Sequence, residues 1–194
     1  TAKLYIGGKQ MRPDSGYSLS VVNADGSLAG EVGQGNRKDI RNAVEAAHKA
    51  SGWQNSTPHS RAQILYFLAE NLEMRTAEFR NRIMQLTGVP SKQAGLEVKT
   101  AVCRIFSYAA LADKYEGLIH QPPMRGLAIA LNEPIGVMGL VCPDEAPLLG
   151  MISMLLPAIA MGNSVVVVPS RPFALVATDF YQLLETSDVP SGVI

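Results

Sequence analysis

An α/β fold, with a helical layer leading into a doubly wound parallel sheet, is the expectation for this chain of 194 residues. Three observations lead to it. Apolar residues between 36 and 117 recur at helical spacing in four successive stretches. Beyond residue 134 the pattern becomes strand, helix, strand, helix, the alternation that builds a parallel sheet. The hydrophobic content of 47% against 18% charged supplies enough apolar side chain for a sizeable core.

The lead-in is β-rich. Short β-type runs at Leu4–Ile6, Ser18–Val22 and 28–32 are separated by the turn signals Gly7-Gly8, Pro13-Asp14 and Asp25-Gly26. The period then changes: Ile40, Ala43, Val44 and Ala47 fall on one helical face, with Asn36 as N-cap and Gly52 as the stop. Thr57 and Pro58 open a second helix that turns Ile64, Leu65, Leu68 and Leu72 inward. Thr76 starts a third, with Phe79, Ile83 and Leu86 facing the core and Gly88 and Pro90 ending it. Ser91 opens a fourth, running through Ala94, Val98, Val102 and Ile105 to Gly117.

After Gln121-Pro122-Pro123, residues 127–131 read as a strand, and Glu133-Pro134 breaks the chain before another strand over 135–141. Residues 147–161 are apolar on nearly every side, the mark of a buried helix, which Pro157 is expected to bend or split near its end. Residues 165–168 form a fully buried strand, 173–186 a further helix, and Val193-Ile194 the opening of another strand. The expected division is 1–120 for the lead-in and helical part, 121–134 for a linker with one strand, and 135–194 for the start of the sheet. So few crossover units leave apolar edges uncovered, so the chain is expected to continue past Ile194 or to assemble against another chain.

Seventeen basic residues balance seventeen acidic ones with no long run of either sign, which argues against nucleic acid and against a polybasic membrane contact. A small polar metabolite is the expected partner. The apolar stretch 146–168 is interrupted by Pro147, Gly150, Pro157, Gly162 and Asn163, so no membrane span is expected. The two cysteines, Cys103 and Cys142, have neither disulfide nor metal-site spacing, and Thr1 is not followed by a charged-then-apolar leader. A cytoplasmic, reducing location follows as the expectation, and the sequon at Asn55-Ser56-Thr57 is discounted.

Gly33-Gln34-Gly35-Asn36-Arg37-Lys38 lacks the third glycine of a dinucleotide loop and sits in the lead-in. Gly136 and Gly139 read as strand positions where another backbone packs close. His48, His59 and His120 are scattered and read as solvated, with no metal site or triad spacing. Cys103, mid-helix among apolar residues, reads as a core cysteine, as does Cys142 at a strand end. The loop from Cys142 through Pro143, Asp144, Glu145 and Ala146 to Pro147 stands apart, because it leaves the C-terminal end of a sheet strand, where open α/β folds place ligands. Its two carboxylates either bind a ligand or cap the following helix against its dipole, and position alone leaves both open.

Longer motifs add a resemblance. Glu133-Pro134-Ile135-Gly136-Val137-Met138-Gly139, then Pro143 to Pro147, then Pro157-Ala158-Ile159-Ala160-Met161-Gly162-Asn163-Ser164 through Val168-Pro169-Ser170, resemble the aldehyde dehydrogenase superfamily in order and spacing. Tyr5-Ile6-Gly7-Gly8-Lys9 is similar to that family's opening strand, Thr87-Gly88-Val89-Pro90 to its Thr-Gly-Lys-Pro turn, and Pro190-Ser191-Gly192-Val193 to the segment before its cofactor-side glycine turn. Residues 127–132, with Leu127, Ile129 and Leu131 alternating with Ala128 and Ala130, resemble its oligomerisation strand.

The resemblance implies a Rossmann-like, NAD(P)-binding sheet beginning near residue 135 and only begun at Ile194. It also implies a reaction, the oxidation of an aldehyde to a carboxylic acid with NAD or NADP through a catalytic cysteine and a glutamate, both expected beyond Ile194. The cofactor side would comprise Cys142, Pro143, Val168, Pro169, Ser170 and Arg171. Two departures stand out. The family's Pro-Trp-Asn-Phe-Pro loop, whose Asn helps to hold the oxyanion, has Glu145 at the Asn position, and its Lys-Pro-Ser-Glu, whose Lys and Glu grip the adenosine ribose, reads Val168-Pro169-Ser170-Arg171. Such drift resembles the second, cysteine-lacking repeat of the two-repeat aldehyde dehydrogenases of family sixteen. The expected function is therefore a degenerate, non-catalytic or structural domain with cofactor binding lost, held in a homo-oligomer or against a companion aldehyde dehydrogenase domain. Alternatives are a working NAD(P)-dependent aldehyde dehydrogenase with an altered oxyanion loop, its partner a small aldehyde, and a non-catalytic nucleotide- or aldehyde-binding α/β module.

Overall fold

The computed structural model describes all 194 residues. Gly7 and Gly8, at φ 58° and 73°, make the two-residue turn that joins β1 (Leu4–Ile6) to β2 (Lys9–Met11), antiparallel with Ile6 opposite Lys9. A second antiparallel pair follows, β3 (Ser18–Val22) with β4 (Leu28–Gly33), bulged between Val21 and Val22.

The helical layer starts with α1 (Arg37–Lys49), where Asn36 and Asp39 form a reciprocal capping box. Asp39 is buried in that role, accepting from the amides of Asn36 and Asp14, whereas Ile40 is 45% exposed at the rim of a cleft rather than turned fully inward. The helix ends at Ala50, and Gly52 lies inside the single turn α2 (Ser51–Gln54), so it is not the stop; α2 delivers Trp53 to the core. In α3 (Pro58–Met74) the Thr57 hydroxyl accepts from the Ser60 amide, and Leu65, Leu68 and Leu72 are buried as their spacing predicts. Then come α4 (Thr76–Thr87), closed by Gly88 in the left-handed conformation, and α5 (Ser91–Lys114), which packs along α3, α4 and the later helix over Pro147–Ala160.

Two short antiparallel strands, β5 (Leu118–His120) and β6 (Ala128–Ala130), are exposed along their whole length. The parallel unit follows: β7 (Val137–Val141), the crossover helix α6 (Pro147–Ala160), β8 (Ser164–Val168), then α7 (Ala174–Thr186). β7 and β8 pair in register from Val137 with Ser164 to Val141 with Val168. Val193-Ile194 is not a strand, although the Val165 amide donates to the Val193 carbonyl at 2.8 Å. One core of 36 buried residues runs without a break from Val21 in the lead-in to Val193. No helix is long and apolar enough to cross a membrane.

The helix α6 shows how the layers are joined. Apart from Ser153 in its middle its side chains are apolar, so it carries no caps of its own, and its ends are satisfied from elsewhere. At its start the Glu97 carboxylate, on α5, accepts from the amides of Leu148 (2.9 Å) and Leu149 (3.2 Å). At its end Trp53 Nε1 donates to the Ile159 carbonyl, Arg61 Nε to Ala160 and Asn163 Nδ2 to Ala158, each at 3.0 Å. A negative group at the N-terminus and a cation at the C-terminus both oppose the helix dipole. With its end fastened three times, α6 runs unbroken through Pro157, which does not split it. Elsewhere, Arg82 on α4 reaches Asp179 on α7 with Nε 2.6 Å from Oδ2.

Candidate functional site

The C-terminal ends of β7 and β8 sit side by side, and the loops leaving them meet. The Cys142 amide donates to the Val168 carbonyl at 2.9 Å, and the buried Ser170 hydroxyl donates to Asp144 Oδ1 at 2.7 Å. Residues 142–147 then cross the first turn of α6, which only a glycine at 150 permits: a Cβ there would lie 2.8 Å from Pro143 Cγ and 2.9 Å from the Glu145 carbonyl. Ala146 turns the chain into the helix at φ 46° and ψ 69°. That left-handed conformation costs a residue with a Cβ about 1–2 kcal/mol.

Cys142 is buried, and burial pushes its thiol above the ordinary range, so it is held as the protonated, unreactive form. Pro143, Asp144, Glu145 and Arg171 are exposed, Val168 is 43% exposed and Pro169 is half-buried. The choice left open for the two carboxylates is narrowed: neither caps α6, because Glu97 does. Glu97 stands 51 residues from the amide it holds and carries no local sequence signal of that role.

Burial pushes the Glu97 carboxyl upward against the opposing pull of the Leu149 and Leu148 amides. A carboxyl whose folded pKa lies above its unfolded value contributes stability that is present below that unfolded value, 4.5, and lost as pH rises through the folded one. Urea midpoints measured between about pH 4 and 7 should therefore decline more steeply for the parent than for Glu97→Gln, which has no titration. Parallel profiles would contradict this.

Several expectations need correction. Cys103 is exposed, since it lies one step off the buried stripe of α5 that includes Val98, Ala101, Val102 and Ile105. Neither Gly136 nor Gly139 is required by a close approach: beyond their partners in the strand pairing, a Cβ at either would meet nothing within 4 Å, and Gly136 is needed for its φ of 125°. In the segment 33–38, the α1 amides of Lys38 and Asp39 are already taken by Asn36 Oδ1, which leaves them unavailable to a phosphate. The three histidines are exposed as expected, His59 with Nδ1 3.4 Å from Asp113 Oδ2. An apolar cleft of about 200 Å³, with Leu4, Ile40, Ala43, Val166, Tyr181 and Ile194 in its wall, reaches these loops only at Pro169 and is a separate feature.

The comparisons with known proteins agree with this architecture. The model of the aldehyde dehydrogenase family matches residues 12–194. A mitochondrial aldehyde dehydrogenase of Leishmania tarentolae is 34% identical over 99% of this chain and 39% of its own length. Retinaldehyde dehydrogenase 3 of Rattus norvegicus is 31% identical over 99% of this chain and 39% of its own. Among solved structures, a putative aldehyde dehydrogenase from Burkholderia cenocepacia superposes with a TM-score of 0.96 at 27% identity, covering 99% of this chain and 40% of that one. A betaine aldehyde dehydrogenase of Staphylococcus aureus, solved in complex with NAD+, has the same fold (TM-score 0.96, 23% identity, 100% of this chain, 40% of that one). The chain spans about two fifths of the length of these relatives. It is a member of the aldehyde dehydrogenase family.

Proposed function

We propose that this chain serves as a degenerate, non-catalytic part of an aldehyde dehydrogenase-type protein, a structural partner rather than a seat of turnover. One observation carries the reading: the loop at the end of β7 presents two carboxylates, Asp144 bound to Ser170 and Glu145 exposed where the family resemblance puts the oxyanion-holding Asn. Losing one oxyanion donor costs about 3–4 kcal/mol. A carboxylate 4 Å from the developing oxyanion adds repulsion of up to about 4 kcal/mol at an effective dielectric near 20.

The residues at the end of β8 do not fit an adenosine ribose grip. Val168 offers no polar side-chain atom, the Ser170 hydroxyl proton is committed to Asp144, and Arg171 donates but cannot accept. A 2′-phosphate is the one feature of the cofactor that Arg171 suits, which favours NADP over NAD. Titration with NADH, followed by its fluorescence, should show no saturation. Submillimolar saturation with enhanced emission would overturn the reading and favour a working dehydrogenase. A cytoplasmic location belongs to the same proposal, supported by two free cysteines, one of them exposed.

Assembly is the second part of the reading. On β5, β6 and the adjoining residues, Leu118, Ile119, Leu127, Ile129 and Leu131 are each more than 60% exposed. This much apolar surface on two short paired strands suits pairing with another copy or with a companion aldehyde dehydrogenase domain. Light scattering should report a dimer or larger, and a monodisperse monomer would count against it.

A further inference from the structure

We propose that Glu97 is the positioning residue of the 142–147 loop: reaching across from α5, its carboxylate clasps the first turn of α6 and so fixes where Asp144 and Glu145 stand. Ala146, the residue at the helix start, has no side-chain acceptor and sits in the left-handed conformation. Leu148, fully buried, and Leu149, half-buried, lie in the first turn of the helix, where their amides have no acceptor within the helix. Glu97 Oε1 satisfies both. These two amides are its only hydrogen-bond partners, and no cation pairs with it.

A half-buried carboxylate without an ion partner is costly, and an apolar side chain would avoid that cost only by leaving the Leu148 and Leu149 amides without an acceptor. What the carboxylate adds is the geometry of the turn. With both amides held, the Gly150 amide closes on the Ala146 carbonyl at 2.6 Å, and the loop is drawn across the helix with Pro143 and the Glu145 backbone against Gly150. Glu97 thus acts on the candidate site through the loop and not by touching a ligand. The inference concerns the loop and stands apart from the cofactor reading above.

Hydrogen exchange on the full chain without cofactor tests it, so its outcome is independent of any NADH titration. In Glu97→Leu the amides of Leu148, Leu149 and Gly150 should lose protection by roughly tenfold or more, while those of Leu68 and Leu72 in α3 keep theirs. Glu97→Gln, whose amide oxygen accepts the same two bonds, should restore the parent pattern. Unchanged protection at 148–150 in the leucine variant, an equal loss in α3, or a glutamine variant that behaves like leucine would each overturn the proposal. If the leucine variant does not fold, Glu97→Asp, one methylene too short, gives the same reading: protection lost at 148–150 alone supports the clasp, and an unchanged pattern overturns it.

Discussion

Arg82→Met should lower the folding stability by about 3–5 kcal/mol, the cost of leaving a buried carboxylate without its partner. Asp179 is the group at risk: its side chain is 9% exposed, and Arg82 Nε sits 2.6 Å from its Oδ2. Arg82 itself is 29% exposed, so the converse change, Asp179→Leu, leaves a guanidinium that can turn to water and should cost less. The double variant should recover most of the loss, because an apolar pair joins α4 to α7 without desolvating two charges. Denaturant unfolding of the four proteins separates the effects as a cycle. A loss below about 1 kcal/mol in Arg82→Met would place this pair with ordinary surface ion pairs.

The second large effect lies at the end of β8. Under the proposed function, Val168→Lys with Arg171→Glu should tighten NADH binding, since each charged hydrogen bond to a ribose hydroxyl contributes about 1.5–3 kcal/mol. Two of them give about 3–6 kcal/mol, or at least a hundredfold. Val168 is already 43% exposed, so a lysine there can reach solvent without breaking the core. The same variant should lose any preference for NADP, because Arg171 is gone. Adding Glu145→Asn is expected to leave binding of NADH unchanged, as that position faces the reacting carbonyl in the family resemblance. If the double variant binds no better than the parent, the groove is closed by something other than these side chains, and the Ser170–Asp144 contact between the two loops is the place to look.

How much of this was readable in the sequence depends on the distance over which each feature is decided. The helices α3, α4 and α5 were legible because Leu65, Leu68, Leu72, Phe79, Ile83 and Val98 repeat at 3.6-residue spacing, and Thr57-Pro58 and Gly88 mark their ends within a few residues. β2 and β5 are not: each is three residues long, and neither Lys9-Gln10-Met11 nor Leu118-Ile119-His120 alternates apolar with polar or small residues as 127–131 does. Residue type alone puts Cys103 and Ile40 inward, because an apolar side chain does not reveal how wide the buried stripe is. At the candidate site, the strand-end position of the 142–147 loop could be inferred, as could the two drifted motifs. The group that holds the loop could not. Nothing near Glu97 distinguishes it from a solvated helix carboxylate, and its partners lie on a helix 51 residues away.

The fastening of α6 at both ends bears on how force passes through the molecule. Trp53 and Arg61 grip one end and Glu97 the other, so the sheet is bolted to the helical layer at points well apart, like a beam resting in two sockets. The stretch 121–126, exposed except at the half-buried Pro122, is part of the covalent connection between the two, but little strain needs to pass along it. Turning the sheet against the helices would mean withdrawing a buried guanidinium and a half-buried carboxylate together, which opposes a hinge there. A protease cut within 121–126 should therefore leave two pieces that travel as one.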